Sequence, residues 1–470
     1  MALSAQAWLD RLAKRIDAKR PRIDLLRSYL EGNPPLPEND ETLREAYKRF
    51  QKKARTNFAE LVVEAVAERM VVSGFRVGDA QDGGNQDDDD ARRIWKANRL
   101  GVWSADVHRD MLALSTGYTC VQPVEGGGGV EITYERPEQV ITDHDPARPD
   151  RVRAALKVYR DDVEGIDVAY VHVPGQVARF TRRSTVERDG VSQPILTVSG
   201  GWDVDSVEIR DTGLRTVPIV PFVNRSGLGE YETHLDLLDR INWVILQRLV
   251  ITAMQAFRQR ATKGSLPEVD EQGKPINYDV LFRPGPGALW QLPDGVDLWE
   301  SQPTDLTPVL ESVKADIRDL AAVTRTPVNM LMPEGANQTA EGASFAKEGL
   351  VFKSKDRINR AAVSWSETMR IALAIERGGE DRVPEVEVLF LPPERQSLAE
   401  RFDALSKAGD DVPWRTKMEY ILQFDGDMVD RMEAQRAQDM LLASTLATQN
   451  QPTAPAQPGQ PGVTGRAATG

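Results

Sequence analysis

Asp143, His144 and Asp145 stand in succession, two carboxylates and an imidazole of the kind a nuclease uses to hold a metal-bound water. The same letters describe a strand running out into a turn, because Asp145 precedes Pro146 and follows the apolar Val140 and Ile141. The turn explains each residue without a partner elsewhere, so no catalytic residue is assigned. Cys120, the single cysteine, lies between Thr119 and Val121 and reads as a buried strand position rather than a reactive thiolate. Being alone, it forms no internal disulfide, and a reducing cytoplasm suits it.

Other chemistries lack their signatures. His108, His144, His172 and His234 are spaced neither as HExxH nor as zinc ligands, and no GxSxG elbow presents a serine. No GxxxxGK loop followed by Ser or Thr offers backbone amides to a nucleotide phosphate. The acidic run within residues 81–90 invites a cation but lacks the glycine and terminal glutamate of a calcium loop. A solvated loop is expected there, its last aspartates favourably placed before a helix starting at Ala91. Neither a metal nor a cofactor is expected.

Lys347, Lys353, Lys355, Arg357 and Arg360 gather positive charge on one helix of a chain with 59 basic and 72 acidic residues, net charge -13. Two readings stand open: contact with DNA, or a solvated face where Glu341, Glu348 and Asp356 pair with these cations. The acidic balance argues against a protein that binds by neutralising many phosphates, and no aromatics alternate with the cations as stacking platforms.

The elements that must position these residues follow from periodicity. A first helix carries Trp8, Leu9, Leu12 and Ile16 on one face after a Ser4 cap and breaks at Pro21; a second runs from Glu41 to Met70, before a strand through Val77. Alternating segments at Val130–Tyr134, Ala154–Tyr159, Val168–Val173 and Val177–Thr181 make the middle of the chain β-rich. Helical spacing returns from Glu232 to Lys263, roughly 46 Å at 1.5 Å per residue. Leu235, Leu238, Ile241, Val244, Ile245, Leu249, Met254 and Phe257 cover more than one stripe of it, which calls for neighbours on two sides. After a proline-rich stretch, Leu306, Leu310, Val313, Ile317 and Leu320 mark a one-sided helix that stops at Thr326 before Pro327. A loop over Val328–Gln338 leads to a long helix over Thr339–Ile375, and Val386–Phe390 alternates as a strand. Three shorter helices around Leu398, Trp414 and Met428 precede a tail rich in Pro, Gly and Gln, expected to be disordered. The fold class is α+β. With no signal peptide in Met1–Asp10 and no apolar run long enough to span a bilayer, a soluble chain is expected.

Five segments, in order, resemble the portal proteins of tailed phages of the siphophage type. They are LLRSYLEGNPPLP at Leu25–Pro37, the asparagine-led NFAELVVEAVAERMVVSGFRV at Asn57–Val77, and the long helix over Gly227–Gly264 with Gln255, Ala256, Phe257, Gln259 and Arg260 near its end. PGPGALW at Pro284–Trp290 is the fourth; the fifth joins DLTPVLESVKADIRDLAAVTRTPVNML to EGASFAKEGLVFKSKDRINRAAVSW. Together they span about residue 25 to 375.

The resemblance implies a portal fold with wing, two-helix stem, clip and helical crown. Residues 1–226 and 376–395 correspond to the wing, 227–263 and 306–326 to the stem helices, and 264–305 to the clip. Residues 327–338 fall at the tunnel loop, 339–375 at a long wing helix, 396–445 at the crown, and 446–470 at the disordered tail. It implies a homo-oligomeric ring, usually of twelve, that conducts double-stranded DNA without sequence preference. The implied partners are the large terminase, head-completion or adaptor proteins, and the major capsid or scaffold protein; no membrane is involved. The implied location is a capsid vertex, after assembly in the host cytoplasm.

The DNA-facing residues expected from this placement are Arg325, Asn329, Met330, Leu331, Met332, Glu334 and Asn337. Where the family usually has a small residue, as in TGTP, this chain reads Thr324, Arg325, Thr326, Pro327, so Arg325 faces either the channel or an acid on the adjacent subunit. For Met330, Leu331 and Met332 a channel-facing tip and a local apolar anchor stand equally open. Expected subunit contacts on the stem are Leu238, Ile241, Ile245, Leu249, Leu310, Val313 and Ile317, and the basic-helix candidates are Lys347, Lys353 and Lys355. Two competing classes are another structural head or connector protein and, with only the Asp143 region to support it, a DNA-processing nuclease.

Overall fold

In the computed structural model the described residues are 3–35, 45–78, 86–124, 126–184, 197–256, 260–264, 267–269, 272–278, 297–300, 302, 304–333, 340–380, 383–394, 398–409, 411–424 and 426–449. They fall into two compact units, divided between Glu394 and Arg395.

Helix α1 (Ala5–Leu30) is capped by the Ser4 hydroxyl, which accepts from the Ala7 amide at 3.2 Å. It runs through Pro21 instead of breaking there. An interior proline costs a helix about 3 kcal/mol. Here each half has its own anchor: Trp8, Leu9, Leu12 and Ile16 pack on a sheet, while Ile23, Leu26, Tyr29 and Leu30 enter the main core. The expected second helix is two, α2 (Glu45–Ala54) and α3 (Phe58–Ala67), because Asn57 starts a new helix by accepting from the Glu60 amide. Strand β1 (Val72–Val77) follows. Helix α4 (Gln86–Ala97) begins ahead of Ala91, so Asp87–Asp90 lie in its first turns rather than in a loop. Its successor α5 spans Leu100–Leu114.

The β-rich section holds two sheets. Strands β2 (Thr116–Pro123), β3 (Val130–Glu135) and β9 (Ile219–Val223) form one, with β2 central. The other is an antiparallel meander of β4 (Val140–Asp145), β5 (Arg148–Asp161), β6 (Ile166–Val173), β7 (Gln176–Arg183) and β8 (Asp203–Asp211). Alternation aims Leu156, Ala169, Val171 and Phe180 at α1, which covers that face.

Helix α6 (Leu235–Ala256) is shorter than expected: Arg260–Lys263 is a strand, β10, paired antiparallel with β11 (Asp297–Glu300). Helix α7 (Thr307–Thr324) then returns along α6, with Arg240 bonded to Asp316 and Asp319 near one end and Gln255 to the Thr304 carbonyl near the other. These contacts define an antiparallel hairpin. A one-turn helix α8 (Val328–Leu331) lies inside the expected loop, and α9 (Ala340–Arg377) runs on for 38 residues, roughly 57 Å. Strand β12 (Val386–Phe390) pairs with β1, closing the unit across most of the chain.

Helix α9 is the spine of the core. Trp365 is fully buried, its ring 4.9 Å from Trp95 and 4.8 Å from Phe222, and its Nε1 donates to His108 Nε2 at 2.8 Å. In the second unit, α10 (Leu398–Lys407) and a turn over Trp414–Ile421 surround a small core of Met418, Leu422 and Val429. The last helix, α11 (Gly426–Gln449), has 24 residues, longer than the short helix expected around Met428.

Candidate functional site

The junction where α7 ends and α9 passes brings Arg325 beside Lys353. Helix α7 closes on Arg325, whose φ of 53° is left-handed, with the Thr326 amide donating back to the Ala321 carbonyl. Arg325 and Asn329 are exposed. Leu331 is buried, and Met330 and Met332 pack against the main core. The local-anchor reading therefore holds for Leu331, and the two methionines are half-covered by their own subunit. Glu334 and Asn337 lie outside the described residues.

Lys353 is not available to DNA within the subunit. It is buried, donating to the Thr324 carbonyl at 2.7 Å and lying 3.5 Å from Glu230. Arg357, also buried, donates to the other Glu230 oxygen at 2.7 Å. Burial alone would raise the Glu230 carboxyl, but Lys353 and the Arg357 hydrogen bond outweigh it and hold the group below the usual carboxylate range. Burial pushes the Lys353 ammonium down; Glu230 counters this, while Arg357 and Arg325 reinforce it. Arg360 bonds Asp356, as the ion-pair reading expects, and Lys347 and Lys355 are exposed.

This buried triad was not legible in sequence. Glu230 and Arg357 are 127 residues apart, and nothing local marks Glu230 as a partner. What places it is backbone: the Glu230 amide donates to the Leu112 carbonyl at 2.8 Å, and a Cβ on Gly229 would collide with the Ala113 carbonyl. Only glycine lets this turn lie against α5.

The stem candidates divide. Leu238, Ile241, Ile245, Val313 and Ile317 are buried inside the subunit, and Leu249 is half-buried against the same core. The two sides that α6 needs are covered by α7 and by α2, and just after α2 the Thr56 amide donates to Asn242 Oδ1. A second subunit is not required to explain its wide apolar surface. Leu310 does stay exposed, as do Trp243, Val323 and Phe352, which no sequence pattern singles out.

The other chemical candidates are structural. The buried Asp143 carboxylate is clamped by Arg15 and Arg153, His144 bonds the Thr142 hydroxyl and the Pro149 carbonyl, and Asp145 Oδ1 accepts from the Ala147 amide in a turn. Two guanidiniums beside one carboxylate already offset its charge and would repel a metal cation. Cys120 is buried on β2, its thiol pushed up to about 12 by burial. Among the described residues no cluster of potential ligands could hold a metal ion, and no helix is long and apolar enough to cross a membrane.

The described residues make a mixed α+β chain built on a helical hairpin and a long spine helix, with Asp143, Glu230, Lys353 and Arg357 tied into structural ion pairs. The sequence profile of the family described as phage portal protein, SPP1 Gp6-like, matches residues 9–440, and the chain belongs to that family. The portal protein of Mycobacterium phage L5 is 25% identical over 389 residues, covering 75% of this chain and 72% of the other. That of Mycobacterium phage D29 is 23% identical over 381 residues, with the same shares covered. Among solved structures, a chain from the neck of an empty gene transfer agent particle, computed with C6 symmetry, aligns with a TM-score of 0.44 at 13% identity, covering 80% of this chain and 93% of that one. The chain is thus a structural component of a phage-type virion, with the portal as its function.

Proposed function

We propose that twelve copies of this chain close into a ring at one capsid vertex, and that double-stranded DNA passes through the ring during packaging and ejection. The observation that carries this reading is the antiparallel hairpin of α6 and α7. Its inner faces are packed on each other and on the core, while Trp243, Leu310 and Val323 stay exposed in a chain whose family builds portals. Exposed apolar residues on otherwise packed helices suit lateral contact between copies in a closed head-to-tail ring.

In this reading residues 1–226 and 376–395 form the wing with the long helix of 339–375, the stem is the α6 and α7 hairpin, and 264–305 is the clip. The clip docks the large terminase and later the head-completion proteins, and the wing meets the capsid or scaffold protein. The loop of 327–338, carried by Arg325 and Asn329 at its base, faces DNA, and 396–445 is the crown. The ring performs no catalysis; the motor's chemistry comes from another protein. Purified protein imaged in negative stain should show rings with a central hole, and uniform small monomers at micromolar concentration would overturn the proposal. Asp143→Ala and Asp145→Ala proteins that assemble should package DNA normally; loss of packaging from intact rings would revive a nuclease.

A further inference from the structure

A pocket beside Arg325 is not explained by conduction of DNA. It encloses about 430 Å³ between the turn of Asn224–Thr233, the carboxyl end of α7 and the Phe352–Arg357 turn of α9. Its charges do not balance. Arg225, Arg325, Lys353 and Arg357 line it against Glu230 and Asp356, and both acids are already bonded to Lys353, Arg357 or Arg360. Arg225 and Arg325 are exposed and have no ion pair among the described residues.

The rim is apolar and open: Phe352 is 65% exposed and Val323 is 49% exposed. It is also strained, since Ser226 and Arg325 hold left-handed φ values of 57° and 53° without being glycine. Asn224 Oδ1, in the wall, is buried without a hydrogen-bond partner. A cationic floor beneath an apolar rim suits a carboxylate carried on a protein surface. It suits DNA poorly, because a phosphate gains nothing from covering Phe352 and Val323.

The same chain carries an opposite patch. Asp236 and Asp239 are exposed, sit one turn apart on α6, and have no ion pair among the described residues. Tyr29 donates to Asp239 at 2.7 Å. Rotation about a ring axis preserves height, so complementary patches on a head-to-tail ring must lie at one level on different flanks. Thr233 in the pocket lies in the turn just before α6 and Asp236 in the first turn of α6, so the two share a level. The pocket is walled by α7 and α9, whereas Asp239 is held by α1.

We infer that the pocket is a socket for a second copy of this chain: Asp236 and Asp239 of one subunit enter the pocket of the next, opposite Arg225 and Arg325, and Phe352 and Val323 close over the contact. The inference rests on the ring reading above and assigns Arg325 to the subunit contact rather than to the channel.

Assembly measured by mass photometry over a concentration series tests it, using the full chain and the variants Arg325→Glu, Asp236→Arg and their combination. Each single variant should raise the concentration for half-assembly roughly tenfold or more, and the combination should bring it back to within a few-fold of the parent. Circular dichroism should be unchanged, since both side chains are exposed. Phe352→Asp should weaken assembly without moving the unfolding midpoint. Singles that assemble like the parent, a combination no better than the singles, or an indifferent Phe352→Asp would each overturn the socket. So would Arg325→Glu rings that form normally but retain a duplex less well as salt rises, which would make the pocket a phosphate site. If the parent forms no rings, the ring reading itself fails and the socket with it.

Discussion

Replacing Glu230 by glutamine removes the carboxylate shared by Lys353 and Arg357 while keeping its shape. The three side chains are only 4%, 5% and 10% exposed, so water cannot take over the lost charge. An exposed ion pair is worth about 0–1 kcal/mol, but breaking a buried one costs about 3–5 kcal/mol, because the partner stays buried and charged. Lys353 keeps the Thr324 carbonyl and Arg357 keeps Asp356, which puts the expected loss near the lower end, about 3 kcal/mol. Urea unfolding followed by tryptophan fluorescence reads the loss directly, as a lower midpoint at unchanged slope. Adding Lys353→Met to Glu230→Gln should recover about 1 kcal/mol or more, since one unpaired cation is removed. The pH dependence follows from the depressed Glu230 carboxyl. Its contribution is present above the unfolded value near 4.5 and is lost as pH falls through the lower folded value, so the gap between parent and variant should shrink in acid. A loss under about 1 kcal/mol, or a double variant weaker than the single, would refute the account of a buried triad holding α9 to the end of α7.

Trp365→Ala should cost about 3–5 kcal/mol by calorimetry or urea, since it empties the centre of an aromatic cluster and removes the donor to His108. His108 and His172 are buried neutral, with pKa values pushed down by burial to about 3 and about 4. Their contribution is intact above the unfolded value near 6.5 and is lost as pH falls toward those folded values, so the unfolding temperature should drop steadily from pH 6.5 to 4. A His172→Gln variant should show a smaller drop, and a parent whose midpoint stays flat across that range would contradict the assignment.

Strands were legible wherever one face is buried: Val386–Phe390 and the segments within β3, β5, β6 and β7 alternate because a one-residue slip would turn Leu156 or Phe180 out to water. The spine helix was legible within a few residues at each end. Pro21 misled because local propensity knows nothing of the two cores that hold the halves of α1. The end of α6 misled for the opposite reason: Arg260–Lys263 has the cations of a helix terminus, but its register is decided by β11, some forty residues on. The site failed in the same way. Lys353 and Lys355 are two residues apart on α9 and so face different ways; the inward one meets Glu230, a partner that only the distant turn at Gly229 puts in place, and the other is exposed.

That division bears on how an acidic chain conducts an acidic polymer. Five cations on α9 suggested a surface for phosphates, but Lys353 and Arg357 are consumed by Glu230, and Arg360 bonds Asp356. Lys347 and Lys355 remain exposed, the latter 5.9 Å from the Phe352 ring. Each phosphate neutralised in a DNA complex releases counterions and thereby tightens binding, so a wall with many free cations would hold DNA at every step. A helix that uses its cations to brace its own subunit leaves fewer of them for phosphates. Fewer free cations mean fewer sticking points for a sliding duplex, and Arg225 and Arg325, exposed beside the pocket, are left to join copies to one another in the contact proposed above.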